Sequence, residues 1–360
     1  MQAWALQQVL KRMGHEPVTI DRQPDTKNPV YQATRLGYRA AMKALGKRTA
    51  PINIERNQGR YLPTITQNTR AFIDQHIAMS EPLDSTAKLQ AHFERNHYDA
   101  VIVGSDQTWR PRYSPNIYNF FLDFLQAKAI KRIAYASSFG VDHWEYTKEQ
   151  TRRCAELAKQ FDAISVREDS GIDLCSQHLG VTASHVLDPT LLLEKNTYEQ
   201  LIGKNRLANT TKGIYTYFLD KSPEKLALSK QASEEFGDAI FSYQAKLGIE
   251  QGIKGEIDNY IMPDIKDWLS GFANARFVLT DSFHGMVFSI IFRKPFLIIN
   301  NPGRGTTRFK SLLQLSGNLD RFKEAGEIVN FAELIKKIKE PQKSFADMQS
   351  ASLKIIEAHL

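Results

Sequence analysis

From its first residues the chain carries apolar side chains at helical spacing. Trp4, Ala5, Leu6, Val9, Leu10 and Met13 share one face of residues 1–14, and Gly14 closes the run. Residues 18–21 read as a short strand. Helices are expected over 31–45 and 68–77, joined by a basic, proline-containing stretch at 56–66, with another helix over 86–96. A regular alternation follows. Strands at 100–103, 132–136 and 163–166 and a short one at 185–187 are interleaved with helical runs such as 148–161. Residues 203–212 are polar and read as a linker. A second alternation then places strands at 213–218, 239–242, 276–280 and 295–300 among helices at 224–236, 265–272 and up to 292. A helical turn at 311–315 and helices at 331–338 and 344–359 end the chain. The expected fold class is α/β: two Rossmann-like parallel-sheet domains, 1–200 and 213–340, facing a central cleft, with a last helix within 341–360.

The opening breaks the pattern. An α/β domain ordinarily starts with a strand and a turn, whereas here the helix comes first. The expectation is that the natural protein starts further upstream, and that loss of the strand leaves a gap in the first sheet with exposed strand edges.

Composition narrows the partners. The 360 residues are 42% hydrophobic and 24% charged, ordinary for folded domains and too many for one comfortable core. A formal net charge of +7 favours anionic partners, but Lys and Arg are spread along the chain rather than gathered in a stripe. A phosphate-bearing small molecule is expected, and nucleic acid is not. Cys154 and Cys175 lack metal-site or disulfide-framework spacing and read as core thiols of a reducing compartment. Apolar runs such as 286–292 are too short to span a bilayer, and no leader-like segment opens the chain, so the expected location is cytoplasmic.

Open α/β sheets bind ligands beyond the carboxyl ends of their strands. Four strands here end in polar clusters: Asp106 with Gln107, Ser137 with Ser138, Arg167 with Glu168, and Asp281 with Ser282 and His284. In Thr280-Asp281-Ser282-Phe283-His284-Gly285, Asp281 or Ser282 can cap the following helix, Gly285 permits close approach of a ligand, and His284 can move protons near neutral pH. The helix start itself suits an anion. Arg167 can grip a carboxylate or phosphate bidentately, or pair with Glu168 or Asp169. Arg304, Arg308 and Lys310 form a basic group in and after a Gly-rich loop, fitting either an anion-binding or a merely solvated loop. Trp109, Tyr113, Tyr118, Phe120 and Phe121 supply aromatic faces for a sugar ring or for the core.

Taken in order, Gln2-Ala3-Trp4-Ala5-Leu6-Gln7, GSDQTW at 104–109, AYASSFG at 134–140, SVRE at 165–168, VLDPTLLL at 186–193, TDSFHG at 280–285 and Arg308-Phe309 resemble the polysaccharide pyruvyltransferase family. The resemblance covers nearly the whole chain. It implies a fold similar to GT-B glycosyltransferases, with the C-terminal helix crossing back to the first domain. The acceptor would lie on the first-domain side and phosphoenolpyruvate on the second. It also implies transfer of a pyruvyl group from phosphoenolpyruvate to two hydroxyls of a sugar in a cell-surface polysaccharide precursor. A ketal forms and phosphate leaves, with no cofactor and no metal. His284 maps onto the family's catalytic histidine and Arg167 onto an anion-gripping arginine, with Asp106 or Asp281 orienting or supplementing His284. Gln107, Trp109, Ser137 and Ser138 complete the expected substrate-binding set. Several family members carry an arginine two residues before the histidine. Ser282 stands there instead, so Arg308 or Arg304 is expected to supply the clamp. The expected partners are phosphoenolpyruvate and a glycan or lipid-linked oligosaccharide at the inner membrane face, with peripheral contact to anionic lipid. Two readings compete: a nucleotide-sugar glycosyltransferase of the same architecture, against which counts the lack of an acidic pair in the second half, and a non-catalytic glycan-binding descendant.

Overall fold

A computed structural model describes residues 1–25, 29–46, 52, 54–125, 129–208, 212–249, 252–301, 305–338 and 345–360. The first sheet is built of β1 (Ala100–Val103), β2 (Lys131–Ser137), β3 (Ala163–Val166) and β4 (Ser184–His185), hydrogen-bonded in that order and all parallel. The second contains β5 (Ile214–Tyr217), β6 (Ile240–Phe241), β7 (Phe277–Thr280), β8 (Phe296–Ile299) and β9 (Phe322–Lys323), in the order β6-β5-β7-β8-β9 and again all parallel. Helices cover both faces of such a sheet, so its central strands are almost wholly apolar: every residue of β7 and β8 is buried, and Thr280 alone among them is polar.

Local chemistry sets the helix ends. Ser85 accepts a hydrogen bond from the Lys88 amide and starts the Thr86–Arg95 helix, Thr147 and Gln150 form a reciprocal capping box, and Ser222 caps a helix whose first residue is Pro223. Gly237 and Gly317 adopt the left-handed conformation that stops the Pro223–Phe236 and Thr307–Ser316 helices.

Three segments differ from the periodicity. Residues 18–21 do not form a strand; Thr19 and Arg22 make only isolated bridges, to Met79 and Leu83. The 56–66 stretch belongs to a helix, Ile54–Ile65, that contains Pro63. Burial of Ile65 against Ile253 and Tyr260 outweighs the poor helical propensity of that proline. In the polar linker a short helix, Lys204–Leu207, forms, and residues 209–211 lie outside the described residues.

Among the described residues β1 pairs with β2 alone. Its other edge faces a cavity of about 750 Å³ lined by Ala100, Val101, Ile102, Val103 and Gly104 and, across it, by Leu6, Leu10, Val18 and Ile20.

The last helix, Ala346–His359, returns to the first sheet. The Ser352 hydroxyl accepts from the Leu187 amide at 3.1 Å, Gln349 donates to the Leu191 carbonyl, and Ile356 is fully buried in the core cluster that spans both domains. Among the described residues no helix is long and apolar enough to cross a membrane.

Candidate functional site

The carboxyl ends of both sheets open onto one cleft of about 1170 Å³. Asp106, Gln107, Thr108 and Tyr113 line it from the first domain, and Tyr217, Ser282, His284 and Arg308 from the second. Gln2 also lines it, at the start of the Gln2–Arg12 helix, whose first turn has no side-chain cap.

β1 delivers Asp106 through a turn in which that residue takes a positive φ of 73°, a conformation a non-glycine residue adopts at some cost. β3 delivers Arg167, whose side chain is almost completely buried. Its guanidinium donates to Asp106 Oδ1 and to Asp188 Oδ2, both at 3.1 Å, and stands 3.8 Å from Glu168. Asp188, fully buried after β4, also accepts from Gln2 Nε2 at 2.7 Å and from the Thr190 amide and hydroxyl. Glu168 accepts from the Ser138 hydroxyl and from the amides of Phe139 and Gly140. Arg167 is thus the hub of three carboxylates.

β7 delivers the second half of the site. Ser282 caps the Phe283–Ile291 helix, and His284 in its first turn turns into the cleft with its Nε2 3.7 Å from Asp188, an ion-pair distance rather than a hydrogen bond. Arg308, on the Thr307–Ser316 helix, stands 3.7 Å from Asp106, and the guanidinium carbons of Arg167 and Arg308 lie 4.5 and 5.5 Å from the Phe283 ring centroid.

The charges tune one another. Burial opposes ionisation of Asp188, but the His284 imidazole, the Arg167 guanidinium and the Thr190 hydrogen bonds outweigh it and hold the carboxyl well below its usual range. Asp106 is lowered too, burial being overcome by Arg167, His284 and Arg308. Burial lowers Arg308 to about 10, with the neighbouring Arg167 adding to the effect. At neutral pH the site therefore holds anionic Asp106 and Asp188 beside two cationic arginines.

Several expected site residues are placed elsewhere. Asp281 is fully buried and accepts from the Leu219 and Asp220 amides, Lys225 Nζ and Asn301 Nδ2, so it fastens the β5 loop to the end of β7 and does not line the cleft. Gly285 is needed for packing, because a Cβ there would meet Thr280 Oγ1 at 2.2 Å. Trp109 is fully buried, stacked on Phe121 and bonded to the Phe120 carbonyl; the core has taken its ring. Ser137 and Ser138 lie beneath the floor, bonded to the Val103 carbonyl and to Glu168. Arg167 is below the floor as well, and Lys310 is exposed outside the cleft. Arg304 lies outside the described residues. The residue missed by sequence reasoning is Asp188. The rule that found the other strand-end acids applied to it equally; it also caps the Pro189–Leu192 turn.

Among the described residues no group of three or more His, Cys, Asp or Glu could hold a metal ion. Cys154 and Cys175 are buried, and burial pushes both thiols up to about 12, as core positions require.

Two facing parallel sheets with a shared cleft at their carboxyl ends, and a last helix that crosses back, define a GT-B-like two-domain α/β protein. The family model for polysaccharide pyruvyl transferase matches residues 1–303, and the chain belongs to that family. Membership makes it a transferase of polysaccharide biosynthesis. No curated protein matches the chain significantly. Among solved structures it is similar to the UDP-GlcNAc 2-epimerase of Methanocaldococcus jannaschii, at 10% identity over 81% of this chain and 89% of that one, with a TM-score of 0.47. It is also similar to a kitacinnamycin glycotransferase, at 11% identity, 82% and 86% coverage and a TM-score of 0.44. A wall teichoic acid polymerase shows 11% identity, 86% and 93% coverage and a TM-score of 0.35.

Proposed function

We propose that the protein transfers the pyruvyl group of phosphoenolpyruvate onto two hydroxyls of a sugar in a polysaccharide precursor, with His284 as general acid and base. The observation that carries this reading is His284 at the cleft wall, held between Asp188 at 3.7 Å and the Arg308–Asp106 pair, in a chain of this family. Phosphoenolpyruvate bears a phosphate and a carboxylate. Arg308 and the uncapped start of the Gln2–Arg12 helix are suited to those two anionic groups. Arg308 takes the place of the arginine that Ser282 replaces.

In the reaction the methylene carbon accepts a proton from His284, which leaves a cationic centre at C2. One sugar hydroxyl oxygen bonds to C2, its proton passing back to His284. The C2–O bond to phosphate then breaks, and the second hydroxyl closes the ketal while its proton departs with phosphate. One hydroxyl proton thus ends in the new methyl group and the other on phosphate, and no oxidant or reductant is consumed. Asp106 and Asp188, both anionic at neutral pH, stabilise the positive charge that develops on the histidine and at C2.

The test is phosphate release from phosphoenolpyruvate with a glycan acceptor, read together with the mass of the pyruvylated product. Turnover of a nucleotide sugar in its place overturns the reading.

A further inference from the structure

The two ring nitrogens of His284 do not share one environment. The side chain is 22% exposed, yet Nε2 is buried and makes no hydrogen bond, while Nδ1 is not buried in this way. The group facing Nε2 is Asp188, whose Oδ2 stands 3.7 Å away on a fully buried side chain. A buried ring nitrogen left without a partner is costly. Its lone pair turned on a carboxylate would add repulsion, whereas an N–H there meets an acceptor. Electrostatics therefore places the proton of the neutral ring on Nε2 and leaves the lone pair on Nδ1.

Asp188 is built to hold that arrangement rather than to take the proton. Oδ1 accepts from the Thr190 amide at 3.0 Å and the Thr190 hydroxyl at 2.7 Å; Oδ2 accepts from Gln2 Nε2 at 2.7 Å and from Arg167 at 3.1 Å. These bonds come from three separate segments, and with the neighbouring cations they keep the carboxylate ionised despite its burial. The other carboxylate near the ring is Asp106, which is half-exposed and faces the guanidinium groups of Arg167 at 3.1 Å and Arg308 at 3.7 Å. Solvent weakens its hold on the ring in a way that does not apply to Asp188. Hydrogen bonds of catalytic groups commonly tighten as a substrate complex forms, so 3.7 Å is within reach of a direct bond.

We propose that Asp188 is a positioning residue: it holds His284 by Nε2, so that Nδ1 is the nitrogen that exchanges protons with substrate in the cleft. The proposal rests on the reading of His284 as the acid and base of the transfer. The proton given to the methylene carbon leaves from Nδ1, and the sugar hydroxyl proton returns to Nδ1. Nε2 keeps its proton and Asp188 stays ionised throughout.

The experiment is a pH titration of the full chain carrying histidine labelled with nitrogen-15 in the ring, followed by long-range proton–nitrogen correlation spectra. Among the nine histidines, the His284 signals are those missing from His284→Gln. As pH rises, Nδ1 moves to the position of an unprotonated nitrogen while Nε2 stays protonated. In Asp188→Asn, where Arg167 keeps Asp106 and Glu168, the neutral ring no longer holds a single tautomer and both nitrogens move to intermediate positions. The same variant lowers kcat roughly 10²–10⁴-fold with little change in the KM for phosphoenolpyruvate. The proposal is overturned if Nε2 is the nitrogen that loses its proton in the parent. It is equally overturned if folded Asp188→Asn keeps the parent's tautomer or its kcat. Should that variant misfold, the titration of the parent decides alone. The spectra need no substrate, so a chain that releases no phosphate from phosphoenolpyruvate sinks the pyruvyltransferase reading while the assignment of the two nitrogens is decided separately.

Discussion

Replacing Arg167 with Met separates an anchor from a ligand clamp. The guanidinium is 1% exposed and holds Asp106 and Asp188 at 3.1 Å and Glu168 at 3.8 Å; the Asp188 and Glu168 side chains are fully buried. Removing one partner of a buried ion pair costs about 3–5 kcal/mol, because the remaining charge stays in a poor solvent. Two stranded carboxylates put the substitution at the upper end of that range. Urea unfolding followed by tryptophan fluorescence at pH 7 measures it directly.

The pH dependence gives a second reading of the same effect. Asp106 and Asp188 are lowered in the folded protein, so their pairing adds stability above the unfolded carboxylate value of about 4 and loses it as pH falls through the lowered folded values. In the variant the buried carboxylates take up protons instead, so the deficit relative to the parent shrinks as the solution is acidified. A loss below about 1 kcal/mol at pH 7, or a deficit that does not change with pH, refutes the hub assignment and returns Arg167 to the substrate.

Four further outcomes are expected. His284→Gln lowers kcat by roughly 10²–10⁴-fold in protein that remains folded, as steady-state kinetics and circular dichroism will show. Arg308→Gln weakens phosphoenolpyruvate binding about 10- to 100-fold by isothermal titration, the loss of a charge-assisted contact, with little effect on acceptor binding. Gly285→Ala destabilises by about 1–3 kcal/mol in denaturant unfolding, since the new methyl group meets Thr280 Oγ1. Trp109→Ala costs about 3–5 kcal/mol and leaves the acceptor KM of the folded fraction unchanged, because its ring is in the core rather than in the cleft.

Much of the fold was legible because parallel strands buried on both faces leave mostly apolar runs, as at β3, β7 and β8, the first two leading to the capping residues Asp169 and Ser282. Two-residue strands escaped: nothing in Phe322-Lys323 distinguishes an edge pairing from a turn. The Ile54–Ile65 helix escaped because its reason for being helical, the seat of Ile65 against Ile253 and Tyr260, is almost 200 residues away in sequence. The site was legible as a set of strand ends but not in its division of labour. Residue type and position marked Asp106, Arg167, Asp281 and His284 alike; only the fold distinguishes carboxylates that meet solvent from those that hold backbone amides, as Asp281 does. Asp188 is a strand-end acid by the same rule; its partners Gln2 and Arg167, 186 and 21 residues away in sequence, are what no local pattern encodes.

The returning helix also has a consequence in time. Domains usually fold as they leave the ribosome, the first before the second, at about 5–20 residues per second. Here Ile356 completes a core shared with Trp4, Ile133 and Val186, and Ser352 takes up the Leu187 amide. The first domain therefore waits, unfinished, while the entire second domain is made, an interval of roughly ten to thirty seconds at those rates. During that interval its nascent chain is exposed to chaperones and proteases in a form that the finished protein never shows.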